Sequence, residues 1–452
     1  MKNLKNIKDN FLKYFRHFRH SRHSELLTIL FLLVFQGTGF PQNILTLKQC
    51  YDLALVKTAL AREKEAYSSI WQLKDKNLLK GWFPTFDANG SFIYNSSVID
   101  MSSVLGSLPI PGIADAIKPL PHEQYKITVD INQVIYDGGA IKSARVLEKT
   151  DLNVNEKQTE AELYKLRGQI NSYYFNLLLL ARQKELLNNY LEIINKRILS
   201  MQSALNQGVI LRSDVDVITS EKIKLEQQLN ENEIRKISLL NILSGLTGTE
   251  IDVSTEFVLP NLKGELTNEL ARPELDLYDL RKEQLTAGLK AIESKRMPKA
   301  FGFATFGYGN PPGNNFFKDE FAPYYIIGGG IKWNIFDWNK AKNEKLVINL
   351  QQGIIENRKS DLAENLNRLL EAKNAEISIL KSLLVSDTEL ITVRKRITAA
   401  AESQYENGTI TATEYLNEMN SERQVMINYE IHKINLAMAR IEYLNISGKE
   451  IE

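Results

Sequence analysis

The sequence predicts a mixed α and β chain made of two tandem copies of one unit, in which short alternating strands run into very long helices. Three observations carry this. The chain repeats itself at a separation of 200 residues without insertion or deletion: Ile135-Tyr136-Asp137 recurs as Ile335-Phe336-Asp337, Ser203 and Gly208 as Ser403 and Gly408, Ile210 as Ile410, and Gly248 as Gly448. A fixed spacing of this kind marks duplicated structural units. In each copy the apolar period switches from two to that of a helix. Residues 140–206 then hold no proline and a single glycine, Gly168; as one helix they would run about 100 Å at 1.5 Å per residue.

Taken in order, residues 1–39 read as a secretion signal. Lys2, Lys5, Lys8, Lys13, Arg16, Arg19 and Arg22 form a basic start, Leu26 to Phe35 an apolar run too short to span a bilayer, and Gly37-Thr38-Gly39 a site suited to cleavage. The first copy covers 44–248. It opens with a helix over 46–80, where Leu47, Tyr51, Ala54, Leu55 and Thr58 recur at three- and four-residue steps. Strands follow over 83–98 and 122–137: Phe86, Ala88, Gly90, Phe92 and Tyr94 alternate with polar neighbours, as do Tyr125, Ile127, Val129 and Ile131. A proline-rich loop, 99–121, separates them. Next come the helix over 140–206, a glycine turn at Gly208, and a helix over 213–243 capped by Ser213. Residues 249–272 form an irregular linker. The second copy, 273–448, repeats the order: a helix opening at Pro273, strands over 299–310 and 323–337, and helices over 339–406 and 411–445 around Gly408. The glycines inside its strands, Gly302, Gly307, Gly309 and Gly328-Gly329-Gly330, precede no helix and so do not read as phosphate loops. They would let neighbouring aromatic rings lie flat on the backbone.

Composition narrows the function. With 56 basic and 55 acidic side chains the net charge is +1, which argues against nucleic acid as the main partner, since that needs clustered positive charge. Cys50 is the one cysteine, so no internal disulfide forms, and His122 and His432 are the only histidines past the N-terminal segment. No metal-ligand spacing, nucleophile elbow or cofactor motif is present, so neither an enzyme nor a cofactor is expected.

The strands suit a barrel wall in lipid. They alternate apolar and polar side chains and carry aromatic residues toward their ends, among them Trp82, Tyr125, Tyr325 and Trp333. Four strands are too few to close a barrel, and an open edge in hydrocarbon leaves backbone groups unpaired at several kcal/mol each. Several copies must therefore share one barrel.

At this point particular motifs resemble the TolC-type outer-membrane efflux proteins. Thr46 to Leu55 is similar to the family's opening helix, and Trp82-Phe83-Pro84-Thr85-Phe86 to its helix-to-strand junction. Ile135-Tyr136-Asp137-Gly138-Gly139 and Ile335-Phe336-Asp337-Trp338 resemble its strand-to-helix junctions, and Ala271-Arg272-Pro273-Glu274-Leu275 the start of its second repeat. The resemblance implies a homotrimer with a 12-stranded barrel in the Gram-negative outer membrane, continued by a long α-helical barrel in the periplasm. It implies a passive exit duct served by a periplasmic adaptor protein and an inner-membrane pump. Asp137, Gly138 and Asp337 would turn strands into helices. Gly208 with Val209, and Gly408 with Thr409, would form the hairpin tips that meet the adaptor. Tyr405, Ser213 and Asp214 would hold the periplasmic aperture shut, and the family's inner acidic ring falls at Glu414 and Asn417. Its tip arginine falls at Ile410. The rival reading is a periplasmic coiled-coil adaptor, disfavoured by two hairpin units and by aromatic-edged strands.

Overall fold

The structure, a computed structural model, describes residues 44–98, 120–261, 267–315 and 318–450. The expected secretion signal, and nearly all of the expected loop over 99–121, lie outside the described residues. The elements run β1 (Ile44–Leu45), α1 (Leu47–Lys57), α2 (Ala59–Lys80), β2 (Thr85–Tyr94), β3 (Glu123–Tyr136), α3 (Ala140–Asn206), α4 (Arg212–Thr247), β4 (Glu256–Phe257), α5 (Pro273–Lys295), β5 (Lys299–Asn310), β6 (Ala322–Lys332), α6 (Lys340–Glu406) and α7 (Ala412–Ser447). The two long helices α3 and α6 are each 67 residues, about 100 Å at the α-helical rise.

Three sequence expectations are corrected. The helix expected over 46–80 is two helices. Thr58 takes extended backbone (φ −64°, ψ 136°), and the chain bends where the stem of Lys57 lies against Gly248. The strand expected over 323–337 stops at Lys332, because its partner β5 begins at Lys299 and Pro298 before it has no N–H to extend the ladder. Residues 333–337 have no ladder to join, and the Trp333 indole N–H donates instead to the Arg296 carbonyl at 3.0 Å. The linker over 249–272 is not wholly irregular, since β4 pairs in parallel with β1.

The four longer strands form one antiparallel sheet in the order β2-β3-β5-β6. The register puts Phe86, Ala88 and Phe92 of β2, Ile127, Val129 and Ile131 of β3, Phe306 and Tyr308 of β5, and Tyr325 and Ile327 of β6 on one face. Most of these side chains are exposed. The other face carries a polar row. Asp130 accepts from Asn89 Nδ2 at 2.7 Å, Thr128 Oγ1 at 3.0 Å and Thr305 Oγ1 at 2.5 Å. On that face the Phe303 and Phe301 rings lie against Gly328 and Gly330, where an added Cβ would come within 2.6 Å and 2.8 Å of a ring carbon.

Below the sheet the helices pack in an open arc, α2 on α3, α3 on α5, α5 on α6. Farther along, α3–α4 and α6–α7 are two hairpins joined through α3 and α7. Between the two levels α1 inserts beside α3 and α4. There Leu47, Cys50, Tyr51 and Ala54 join Ile170, Tyr174, Phe175, Leu177, Leu240 and Leu243 in a closed apolar core. The Tyr174 hydroxyl, with its ring fully buried, donates to the Val258 carbonyl at 2.7 Å and so ties the β1–β4 belt to this core. Desolvation pushes the Cys50 thiol up to about 12.

Gly448, at the end of α7, has φ +88°, and a Cβ there would lie 2.3 Å from the Ala271 carbonyl carbon. Gly448→Ala is therefore expected to destabilise the fold by roughly 1–3 kcal/mol through overpacking and left-handed strain. Gly353→Ala, in the open interior of α6, is expected to stabilise by about 0.5–1 kcal/mol. Thermal unfolding of the two variants checks the opposite signs. In the folded protein a maleimide should leave Cys50 unlabelled and should react only after denaturant is added, as judged by mass spectrometry.

Candidate functional site: strand-helix junctions and hairpin tips

Each long helix starts from an aspartate: Asp137 directly follows β3, and Asp337 lies in the unpaired segment between β6 and α6. Asp137 accepts from the Gly139 N–H at 2.8 Å and the Ile141 N–H at 2.6 Å. Asp337, its counterpart in the second copy, accepts from the Ala341 N–H at 3.1 Å. Both satisfy amides that a helix start leaves without partners. The two residues after each aspartate have positive φ in both copies: Gly138 and Gly139 at 70° and 83°, Trp338 and Asn339 at 55° and 63°. Gly138 is confined as well, because a Cβ there would stand 2.6 Å from the Met297 Cβ.

Of the aromatic residues expected at a membrane boundary, Trp82, Trp333 and Tyr125 lie toward the ends of the sheet, whereas Tyr325 stands opposite Phe306 and level with Val129, midway along it. Trp82 precedes β2 and its carbonyl accepts from Gln133 Nε2 at 2.8 Å. Trp333 follows β6. Tyr125 is near the opposite end, its ring 4.9 Å from Phe92 and 5.8 Å from Phe321. Tyr325 is 71% exposed on the apolar face.

Both hairpin tips are built alike. Gly208 and Gly408 have φ of 74° and 72°. Val209 N–H reaches back to the Ala204 carbonyl and Thr409 N–H to the Gln404 carbonyl, each at 2.9 Å, which closes the last turn of α3 and α6. Val209 and Leu211 are exposed at the first tip. Ser213 does not cap α4, contrary to the expectation from sequence. The helix already starts at Arg212, and the Asp214 carboxylate accepts from the Leu211 N–H at 3.1 Å. With the cap position at Leu211, Ser213 is already inside the first turn, and Asp214 sits at the position from which a carboxylate reaches back to the cap amide. At the second tip Glu414 does the same work. Its carboxylate accepts from the Thr411 N–H at 2.7 Å and hydroxyl at 2.9 Å, while Thr411 Oγ1 accepts from the Glu414 N–H at 3.3 Å. Asn417 lies one turn on, exposed. The Tyr405 ring stacks on Tyr415 at 5.6 Å. Burial, and next the nearby Asp214 carboxylate, push the Tyr405 phenol above its ordinary range.

The structure adds a residue that sequence reasoning did not single out. Arg197 of α3 has a side chain only 12% exposed; it pairs with Glu402 and with Glu406 at 3.1 Å, and lies 5.1 Å and 5.8 Å from the Tyr415 and Tyr405 ring centres. It ties the first hairpin to both helices of the second. Arg423 of α7 reaches the other way, to Glu221 of α4 at 3.3 Å and over the Tyr190 ring. No local pattern reveals either pair, since each joins residues about 200 apart in sequence. Among the described residues no cluster of His, Cys, Asp and Glu fits a metal ion, and no helix is long and apolar enough to cross a membrane.

The comparisons with known proteins fit this geometry. Residues 78–249 match the family model for outer membrane efflux protein, the family that the sequence motifs resemble. Among solved structures the fold is similar to CusC, at 12% identity and a TM-score of 0.66, covering 92% of this chain and 95% of that one. It is similar to VceC from Vibrio cholerae, at 14% identity and a TM-score of 0.64, covering 90% and 97%. It is also similar to the CmeC outer membrane channel of Campylobacter jejuni, at 14% identity and a TM-score of 0.62, covering 89% and 85%. No curated protein sequence matches. At these identities the structural likeness is one of fold. The adaptor reading has no support among these matches, and the matching family is one of efflux, not of catalysis.

Arg197→Ala is expected to loosen the tips by about 1–3 kcal/mol, from lost charged hydrogen bonds and ring contacts, read as faster amide exchange in α6 and α7 near 400–420. A second expectation concerns acid. The Thr411 amide and hydroxyl hold the Glu414 carboxyl below its ordinary value of 4.5. A lowered folded pKa stabilises above the unfolded value and is lost as pH falls through the folded one. Exchange at residues 411–414 should therefore rise on acidification below about pH 4.5 beyond its intrinsic trend, and Glu414→Gln should abolish that excess.

Proposed function

We propose that the protein is the outer-membrane channel of an efflux system, a passive duct for solutes delivered from the periplasmic side. The observation that carries this reading is a pair of open edges running the length of the molecule. In the sheet the edges are β2 and β6. In the upper arc they are α2 and α6, and in the lower hairpins α4 and α6. One edge thus belongs wholly to the first copy and the other to the second. Both are apolar and exposed: Ile70 and Leu73 on α2 and Ile223 and Ile234 on α4, against Leu350, Ile354, Ile379 and Val385 on α6. Two different edges make a heterologous contact, which closes into a ring when the rotation between chains divides a full turn.

Three copies, the number the family resemblance implies, would complete a 12-stranded barrel, with the apolar sheet face toward lipid and the polar face toward water. Strands of 10 to 14 residues match the roughly 9–11 residues a tilted strand needs to cross hydrocarbon. The helices would then enclose a periplasmic tunnel. At its far end Tyr405, Ser213, Asp214, Glu414 and Asn417 would line the aperture, and Gly208, Val209, Gly408 and Thr409 would face a periplasmic adaptor coupled to an inner-membrane pump.

Purified from outer membranes in mild detergent, the protein is expected to have about three times the protomer mass by light scattering and to conduct ions in planar bilayers. A monodisperse, non-conducting monomer would overturn the reading. Ile234→Lys, on an exposed α4 face, is expected to shift the mass toward monomer while leaving the helical circular dichroism unchanged.

A further inference from the structure

The polar face of the sheet carries its charges in layers. Its membership is fixed by contacts: Thr305 bonds to Asp130, Lys126 Cγ would lie 3.1 Å from a Cβ at Gly309, and Phe301 and Phe303 lie on Gly330 and Gly328. Odd positions of β2 and β5 and even positions of β3 and β6 therefore share this face. Its described charges are Asp87, Asp130, Lys126, Lys299 and Lys332.

Asp87 stands opposite Asp130, whose carboxylate is already held by three donors. Lys299 stands opposite Lys332 at the end of the sheet that leads into α6. Both lysines are exposed, and neither has an ion pair among the described residues. Arg296 is close in sequence, but it faces Asp337 at 3.8 Å. Like charges directly opposite each other destabilise a sheet, and these two are left for water and for what passes in it. Lys299 is six residues along β5 from Thr305, the residue level with Asp130. That is about 20 Å of strand, well beyond a Debye length of about 8 Å, so the acidic layer does not neutralise the basic one.

We propose that Lys299 and Lys332 form a basic ring where the barrel meets the helical tunnel, and that this ring favours anionic solutes, those bearing carboxylate, sulfonate or phosphate groups. The inference rests on the channel reading and assigns a specificity to the same duct.

The test is the reversal potential of the purified channel in planar bilayers under a potassium chloride gradient, with chloride as the probe anion. At about 0.1 M salt the Lys299→Gln/Lys332→Gln double variant is expected to lower the chloride-to-potassium permeability ratio several-fold. At about 1 M the difference should largely vanish by screening. Lys332→Gln alone, on the edge strand, should give a smaller shift in the same direction and serves if the double variant does not assemble. Conducting variants with an unchanged reversal potential would overturn the basic ring and leave the channel reading intact. A wild-type protein that does not conduct would overturn the channel reading itself.

Discussion

Unpaired backbone at a sheet edge is the constraint on which the rest of the molecule depends. In water an edge strand is tolerated; in hydrocarbon each free N–H and C=O costs several kcal/mol. The apolar, exposed face of the β2-β3-β5-β6 sheet asks for lipid, while its edges forbid lipid to a single copy. The helices inherit the same requirement. Their apolar stripes are filled where helices of one chain pack together, as at Leu177, Leu187 and Ile218, and left bare on α2, α4 and α6. One requirement, which the proposed ring would meet, spans the sheet and both helical levels.

Most of this architecture was legible in the sequence because it rests on period and spacing. The switch from alternation to helical repeat, the absence of proline from 140–206 and the 200-residue duplication are local or self-referential signals. What stayed hidden depends on partners distant in the chain. The bend at Thr58 accompanies the contact of Lys57 with Gly248, and the early end of β6 follows from Pro298, just ahead of its partner strand β5. The start of α4 at Arg212, which leaves Ser213 inside the first turn, goes with the bond from the Leu211 amide back to Asp214. Periodicity says nothing about any of these.

The hairpin tips show the same division. The turns at Gly208 and Gly408 could be read from one residue type, because the left-handed conformation they need is a property of the backbone alone. The arginines that bind one hairpin to the other could not. Arg197 and Arg423 sit in ordinary helical sequence and acquire meaning only when Glu402, Tyr415, Glu221 and Tyr190 arrive from elsewhere. Because the ties run in both directions between hairpins of one chain, a sliding motion between those hairpins would break charged contacts on both.

The two strand-to-helix bends carry a last consequence. They share one backbone shape, yet one is written with two glycines and the other with Trp338 and Asn339. The difference is elbow room: Met297 presses on position 138, whereas the Trp338 side chain is 84% exposed. In a single chain, position 338 thus has room for a large label, such as a fluorophore, at the bend that leads into α6. Its twin in the first copy has no space for even a methyl group.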